Sequence, residues 1–178
     1  TVLKLFMCLY PLDEGLRMME TGDGVQPLTA AWRSLFAYVP QGNQLLSGTI
    51  RDIVSFGDRD RAQDDANIYH ALSVACAEEF VRKLENGLDT TLGEHGLGLS
   101  EGQMQRIAIA RAIFSEHPIL MLDEATSALD ELTARRLLEN LRRMTDRTVI
   151  LVTHRTDQIE FFDKELSFSK DGIRQKAK

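Results

Sequence analysis

No run of apolar residues in this 178-residue chain approaches the ~18 that a bilayer-spanning helix needs, so any hold on a membrane must run through a partner or through residues beyond these. Positive charge is also in short supply. Lys and Arg number 21 against 27 Asp and Glu, a net charge of −6, which argues against a broad basic surface; nucleic acid is not an expected partner. Cysteine is scarce too. Cys8 and Cys76 lie far apart, and neither has a Cys or His at ligand spacing, so a disulfide or metal role gives way to two reduced core thiols in helix-like surroundings. Aromatics make up only 7% of the residues. Trp32 and Tyr38 read as packing residues and not as a base-stacking platform. What is present is ordinary for a globular protein, 43% hydrophobic and 27% charged residues, and 178 residues suffice for one domain with a real core or for a core domain carrying a small subdomain.

The chain opens with TVLKLFMCLYP, whose Val2, Leu3, Leu5, Phe6 and Leu9 form a helix face that Pro11 should end. Nothing caps that helix at Thr1, so the sequence reads as cut inside an element. Gly15, Gly22 and Gly24 mark a turn-rich stretch, and Phe36 to Val39 reads as a short strand running into the turn Pro40-Gln41-Gly42. From Ser47 to about Ser115 the pattern is mostly helical, with apolar stripes at Ile68, Leu72 and Ala75, at Phe80, Val81 and Leu84, and from Ile107 to Ile113. The last third differs. Residues 119–122 (ILML) precede Asp123-Glu124, and residues 149–152 (VILV) precede Thr153-His154. Short continuous apolar runs suit strands buried on both faces of a parallel sheet. With the helical pattern from Leu132 to Met144 between them they make a βαβ unit, and open parallel sheets bind ligands at the carboxyl ends of their strands.

Both runs end there in residues able to do chemistry. Asp123 could hold Mg²⁺ directly or through its water, and Glu124 could position or deprotonate a water; the same pair could simply start a helix. His154 could donate to a terminal phosphate, or be a hydrogen-bonded histidine at a strand end. Gln41 could touch a metal-bound water or sense a ligand, or be an unremarkable turn residue. In Ser100-Glu101-Gly102-Gln103 a helix N-terminus offers N–H groups to an anion, and glycine permits close approach; Ser100 could equally be an N-cap. Arg106 and Arg111 read as the solvated face of that helix.

The order and spacing of these pieces resemble the ATP-binding domain of an ABC transporter. YVPQ at 38–41 is similar to the Q-loop, LSEGQ at 99–103 to the signature motif, and ILMLDE at 119–124 to Walker B with its catalytic glutamate. SALD at 127–130 resembles the D-loop, and THR at 153–155 contains the switch histidine. The resemblance implies an α/β fold: a P-loop NTPase-like parallel sheet core flanked by helices (1–45 and 116–178), with an inserted α-helical signature subdomain (46–115). It implies ATP hydrolysis with Mg²⁺ at the interface of a head-to-tail dimer. Asp123 would organise the metal, helped by Gln41, and Glu124 would activate the attacking water. Gln41 and His154 would read the γ-phosphate. Ser100 and Gly102, with Gln103, would contact the γ-phosphate bound by the partner domain, and Asp130 would act across the interface. The implied partners are a second ATP-binding domain and the transmembrane domains of a transporter, and the implied location is the cytoplasmic face of the membrane.

WRSLFAYVPQGNQLLSGTIRDIVSFG and LGEHGLGLSEGQ resemble the exporter branch, and Gly93 to Gly96 resembles a loop near the intracellular coupling helices. Two departures stand out. Glu101 replaces the glycine of LSGGQ and should point outward, where a carboxylate complements the helix N-terminus without facing phosphate. No G-x-x-x-x-G-K-[ST] occurs in the chain, and TVLKLFMCLYP resembles the segment directly after the Lys-Ser of that loop. The phosphate loop is therefore expected before Thr1, and the chain as it stands should hydrolyse little ATP. Two alternatives remain: a non-catalytic module lending its signature helix to a partner, and a non-transport ABC ATPase. The exporter-like segment, the acidic balance and the lack of coiled-coil heptads weigh against the second.

Overall fold

The computed structural model describes residues 2–42, 47–58, 60–93, 98–169 and 172–177. Three parallel strands, β3 (Phe36–Val39), β6 (Ile119–Asp123) and β7 (Thr148–Val152), form a sheet in the order β3-β6-β7. The register pairs Val39 with Leu122 and Asp123 with Val152, so Gln41, Asp123–Glu124 and His154 all leave the sheet at one edge. The central strand β6 is buried on both faces, as its continuous apolar run suggests, whereas Val149–Val152 of β7, at the end of the strand order, are only half-buried. Ala37, Val39, Leu120 and Leu122 face the main core, while Phe36, Tyr38, Ile119, Met121, Ile150 and Val152 face a smaller cluster closed by Leu3 and Met7 of the opening segment.

The crossover from β3 to β6 is the mainly helical stretch expected from residue 47 onward. It holds α2 (Ile50–Val54), α3 (Asp65–Val74), α4 (Glu78–Arg82) and α5 (Glu101–Phe114). One antiparallel pair interrupts it, β4 (Gly48–Thr49) with β5 (Thr91–Leu92). α2 starts on a capping box, with Thr49 accepting from the Asp52 N–H while the Asp52 carboxylate accepts from the Thr49 N–H. α5 is buried on nearly every side, from Gln105 through Ile107, Ala110 and Phe114, because the sheet and helices α2 and α3 enclose it. α6 (Glu131–Arg142) returns to β7 and buries Ala134, Leu137, Leu138 and Leu141, the i, i+3, i+4, i+7 stripe of a helix with one wet face. Truncating Leu137 or Leu138 to alanine is worth roughly 2–5 kcal/mol at such fully buried positions.

Several expectations are corrected. The first helix, α1, spans only Val2–Phe6, and the chain reverses at Cys8, which has φ 54°. Leu3 and Met7, one turn apart, are the buried pair, while Phe6 and Leu9 are exposed. Arginines donate to carbonyls at and beyond that helix end: Arg33 to Met7 and Cys8, and Arg17 to Tyr10 and to Leu5, which also accepts from the Cys8 N–H. The glycine-rich stretch after Pro11 contains a hairpin, β1 (Met18–Thr21) with β2 (Gly24–Pro27). A second hairpin, β8 (Lys164–Ser169) with β9 (Gly172–Ala177), comes after β7. The cysteines are half-buried residues in the left-handed conformation just past helix ends, and not members of helix faces. Arg106 is not solvated either. Its guanidinium is half-buried over the Phe80 ring, donating to the carbonyls of Gly102 and Cys76, and burial lowers its pKa. Among the described residues no helix is long and apolar enough to cross a membrane.

Candidate functional site

At the end of β6 the Glu124 N–H donates to the Val152 carbonyl at 2.9 Å, a last rung of the parallel ladder. Glu124 itself adopts φ 52°, a left-handed conformation unusual and costly for a non-glycine residue. That turn separates two neighbouring carboxylates. Asp123 accepts through Oδ2 from the Tyr38 hydroxyl at 2.9 Å. The Glu124 carboxylate is held by other partners: Oε2 accepts from Gln41 Nε2 at 2.8 Å, and Oε1 lies 3.0 Å from His154 Nε2. The glutamate side chain is 23% exposed and the histidine 85%, so the acid is largely covered and the imidazole stands at the exposed rim of the pair. Four of the residues singled out in the sequence thus meet where three strands end, although Gln41 and Glu124 are 83 positions apart.

Behind them lies a shell that the sequence patterns did not reveal. Tyr38 packs under the sheet, as expected, but its hydroxyl also holds Asp123; burial first, and then that acidic neighbour, push its pKa up to about 12. Gln105, almost fully buried in α5, donates to the Glu124 carbonyl at 3.3 Å and accepts from the Ala128 N–H at 3.3 Å, stapling the 124–128 loop to the helix. The available signal for Gln105 was a polar residue on the face that also carries Gly102 and Ile109, at helical spacing.

The remaining predicted residues are not drawn into the Glu124 cluster. Ser100 caps α5: its hydroxyl accepts from the Gln103 N–H at 3.2 Å, and the Gln103 side chain accepts from the Ser100 N–H at 2.8 Å. Glu101, in the first turn of α5, is exposed. Gly102 is needed for packing, since a Cβ there would lie 2.7 Å from the Ala128 carbonyl oxygen. Asp130 caps α6, accepting from the N–H and hydroxyl of Thr133 at 2.9 and 2.7 Å, bonds that hold its carboxyl below the usual range. The coupling-loop segment 94–96 lies outside the described residues.

As a metal site the donors are few. Among the described residues no group of three or more His, Cys, Asp and Glu could hold an ion. Mg²⁺ takes one or two carboxylates with waters and phosphate oxygens, so Asp123 fits Mg²⁺ brought with a phosphate and not a cage made by protein alone.

A parallel sheet whose carboxyl edge gathers Gln, Asp-Glu and His, with a capped helix crossing beside it, defines the class: an α/β nucleotide-binding domain carrying a helical insertion. The family model for ABC transporters matches residues 1–127, and the chain belongs to that family. It is 40% identical over 180 residues to an ATP-dependent lipid A-core flippase of Vibrio parahaemolyticus, a match covering 99% of this chain and 30% of the relative. The flippase of the same name from Escherichia coli K12 is 38% identical over 176 residues, covering 97% and 30%. The solved structure of a bacterial Atm1-family ABC exporter with ATP bound superposes with a TM-score of 0.80 at 32% identity, covering 93% of this chain and 29% of that one. The chain therefore spans about 30% of the length of the curated relatives it matches.

Proposed function

We propose that these residues are the ATP-binding and hydrolysing domain of an ABC exporter that powers transport across a membrane from its cytoplasmic face. The core comprises 1–45 and 116–178, and the signature subdomain 46–115. The observation that carries the reading is the Glu124 carboxylate held between the Gln41 amide and the His154 ring at the carboxyl edge of a parallel sheet. Bound MgATP supplies the phosphoanhydride to be cleaved. Glu124 accepts the proton of the attacking water; each of its oxygens has one neighbour here, Gln41 or His154, and keeps a second lone pair for that water. Asp123, steadied by Tyr38, holds the metal or its water with Gln41 nearby, and Gln41 and His154 then offer donors to the terminal phosphate. Such catalysis is mainly positioning and charge stabilisation.

Ser100, Gly102, Gln103 and Asp130 serve the site of a second ATP-binding domain in a head-to-tail dimer, and transmembrane domains take up the motion. These 178 residues contain no G-x-x-x-x-G-K-[ST]. The names of the flippase relatives make an amphipathic lipid the first substrate class to test. In the intact transporter, Glu124→Gln should lower ATP hydrolysis roughly 10²–10⁴-fold while ATP still binds. Hydrolysis at the wild-type rate would remove Glu124 from the role of base. The purified 178-residue chain alone should bind MgATP weakly and turn it over negligibly; turnover abolished by Glu124→Gln would overturn that.

A further inference from the structure

Gln158 lies in a 3-10 turn (Thr156–Phe161) four residues beyond His154, and only 2% of its surface is exposed. Its side-chain oxygen accepts from two hydroxyls, Thr126 Oγ1 at 2.9 Å and Thr153 Oγ1 at 3.1 Å. Thr126, 1% exposed, belongs to the loop after Glu124, and Thr153 immediately precedes His154. Thr153 Oγ1 in turn accepts from the Arg155 N–H at 3.0 Å, so the histidine is framed on both sides. The Gln158 nitrogen is buried with no hydrogen-bond partner. An amide whose nitrogen goes unpaired is a costly way to fill a core, where an apolar side chain would lose nothing. What the amide adds is the single oxygen bridging two loops.

We propose that Gln158 is a positioning residue for ATP hydrolysis, which fastens the His154 loop to the Glu124 loop so that ring and carboxylate keep their register. The proposal rests on the ATPase reading above. The backbone ties the same two loops through the Glu124 N–H on the Val152 carbonyl, but that bond precedes the histidine and leaves Thr153 to Arg155 to be placed by the threonine and glutamine side chains. A rim imidazole that is 85% exposed has little packing of its own to hold it.

The test uses the intact transporter and the variants Gln158→Met, which keeps length and removes the acceptor, Thr153→Val, and the pair together. Gln158→Met should lower kcat about tenfold with KM for ATP within about twofold, the split expected when alignment and not binding is lost. Amides of 153–158 should exchange hydrogen faster. Thr153→Val should add little in the Gln158→Met background, since both remove one bridge. Additive losses, or an unchanged kcat and exchange pattern beside an active wild type, would sink the positioning role alone. A wild-type transporter that hydrolyses no ATP would sink the ATPase reading and this role with it. If Gln158→Met fails to fold, Thr126→Val and Thr153→Val decide: each removes one bond at nearly constant volume, and either lowers kcat at constant KM or overturns the proposal.

Discussion

The carboxyl edge of the sheet and the start of α5 carry the two halves of one motif set, yet they are finished differently. At the sheet edge, side chains from three strand ends reach across to one another, and the Glu124 carboxylate meets Gln41 and His154, both far away in sequence. At the start of α5, Ser100 and Gln103 satisfy each other within a single turn, and Asp130 does the same with Thr133 at α6. The first region is a site assembled within one chain. The second is a pair of helix starts, each capped by its own neighbouring residues.

Gly102 is where the two regions touch, and altering it should have the largest effect. Gly102→Ala forces a methyl to 2.7 Å from the Ala128 carbonyl, so the loop or helix must shift; a loss of about 1–3 kcal/mol is expected in denaturant unfolding. An unchanged midpoint would mean that the α5 start and the 124–130 loop are less tightly joined than this close approach implies. Ser100→Ala should cost about 1 kcal/mol, read by thermal melting, because it removes a cap and disturbs nothing at Glu124. Should it also alter the Glu124 cluster, visible as a changed His154 ring signal in NMR, the separation of the regions fails. Tyr38→Phe acts on the other side, removing one hydrogen bond to Asp123 for roughly 0.5–1.5 kcal/mol and weakening Mg²⁺ dependence while the α5 cap stays intact. A mutant that keeps both its stability and its Mg²⁺ dependence would show that the phenol does not steady Asp123. The smallest effect belongs to Asp130. Its folded pKa is lowered by the Thr133 bonds, so its contribution is complete above the ordinary Asp range and is lost as pH falls through the lowered value. Acid unfolding of Asp130→Asn should therefore be flatter than wild type in that window, and identical curves would show the cap to be inert.

Much of the fold is legible in local pattern. ILML announces a strand buried on both faces and VILV a strand that proves half-buried, and the leucines of α6 announce a helix with one wet side. The hairpin at 18–27 is not legible, because its burial alternates only between exposed and half-buried and polarity does not follow it: Met18 and Val25 are exposed while Thr21 and Gln26 are half-buried. Periodicity overextends the first helix because its true end depends on Arg17 and Arg33, which arrive from later in the chain to take its carbonyls. Arg106 defeats a linear reading for a related reason: helical periodicity puts it on a face but does not say that Phe80 and the Cys76 carbonyl will cover that face.

The sequence by itself determined the chemistry available: a carboxylate pair after one strand, a histidine after another, a glutamine after a third, and capping residues at two helix starts. Hydrophobic period, cap preference and motif spacing are short-range, so they survive in a linear reading. Only the tertiary structure decided who meets whom. Strand register set Gln41 and His154 on opposite oxygens of Glu124, and a close crossing made Gly102 obligatory against Ala128. Burial turned Gln105 and Gln158, two unremarkable amides in the linear chain, into the ties that hold the loops in place. Those outcomes depend on which distant surfaces exclude water together, and that is a property of the packed molecule.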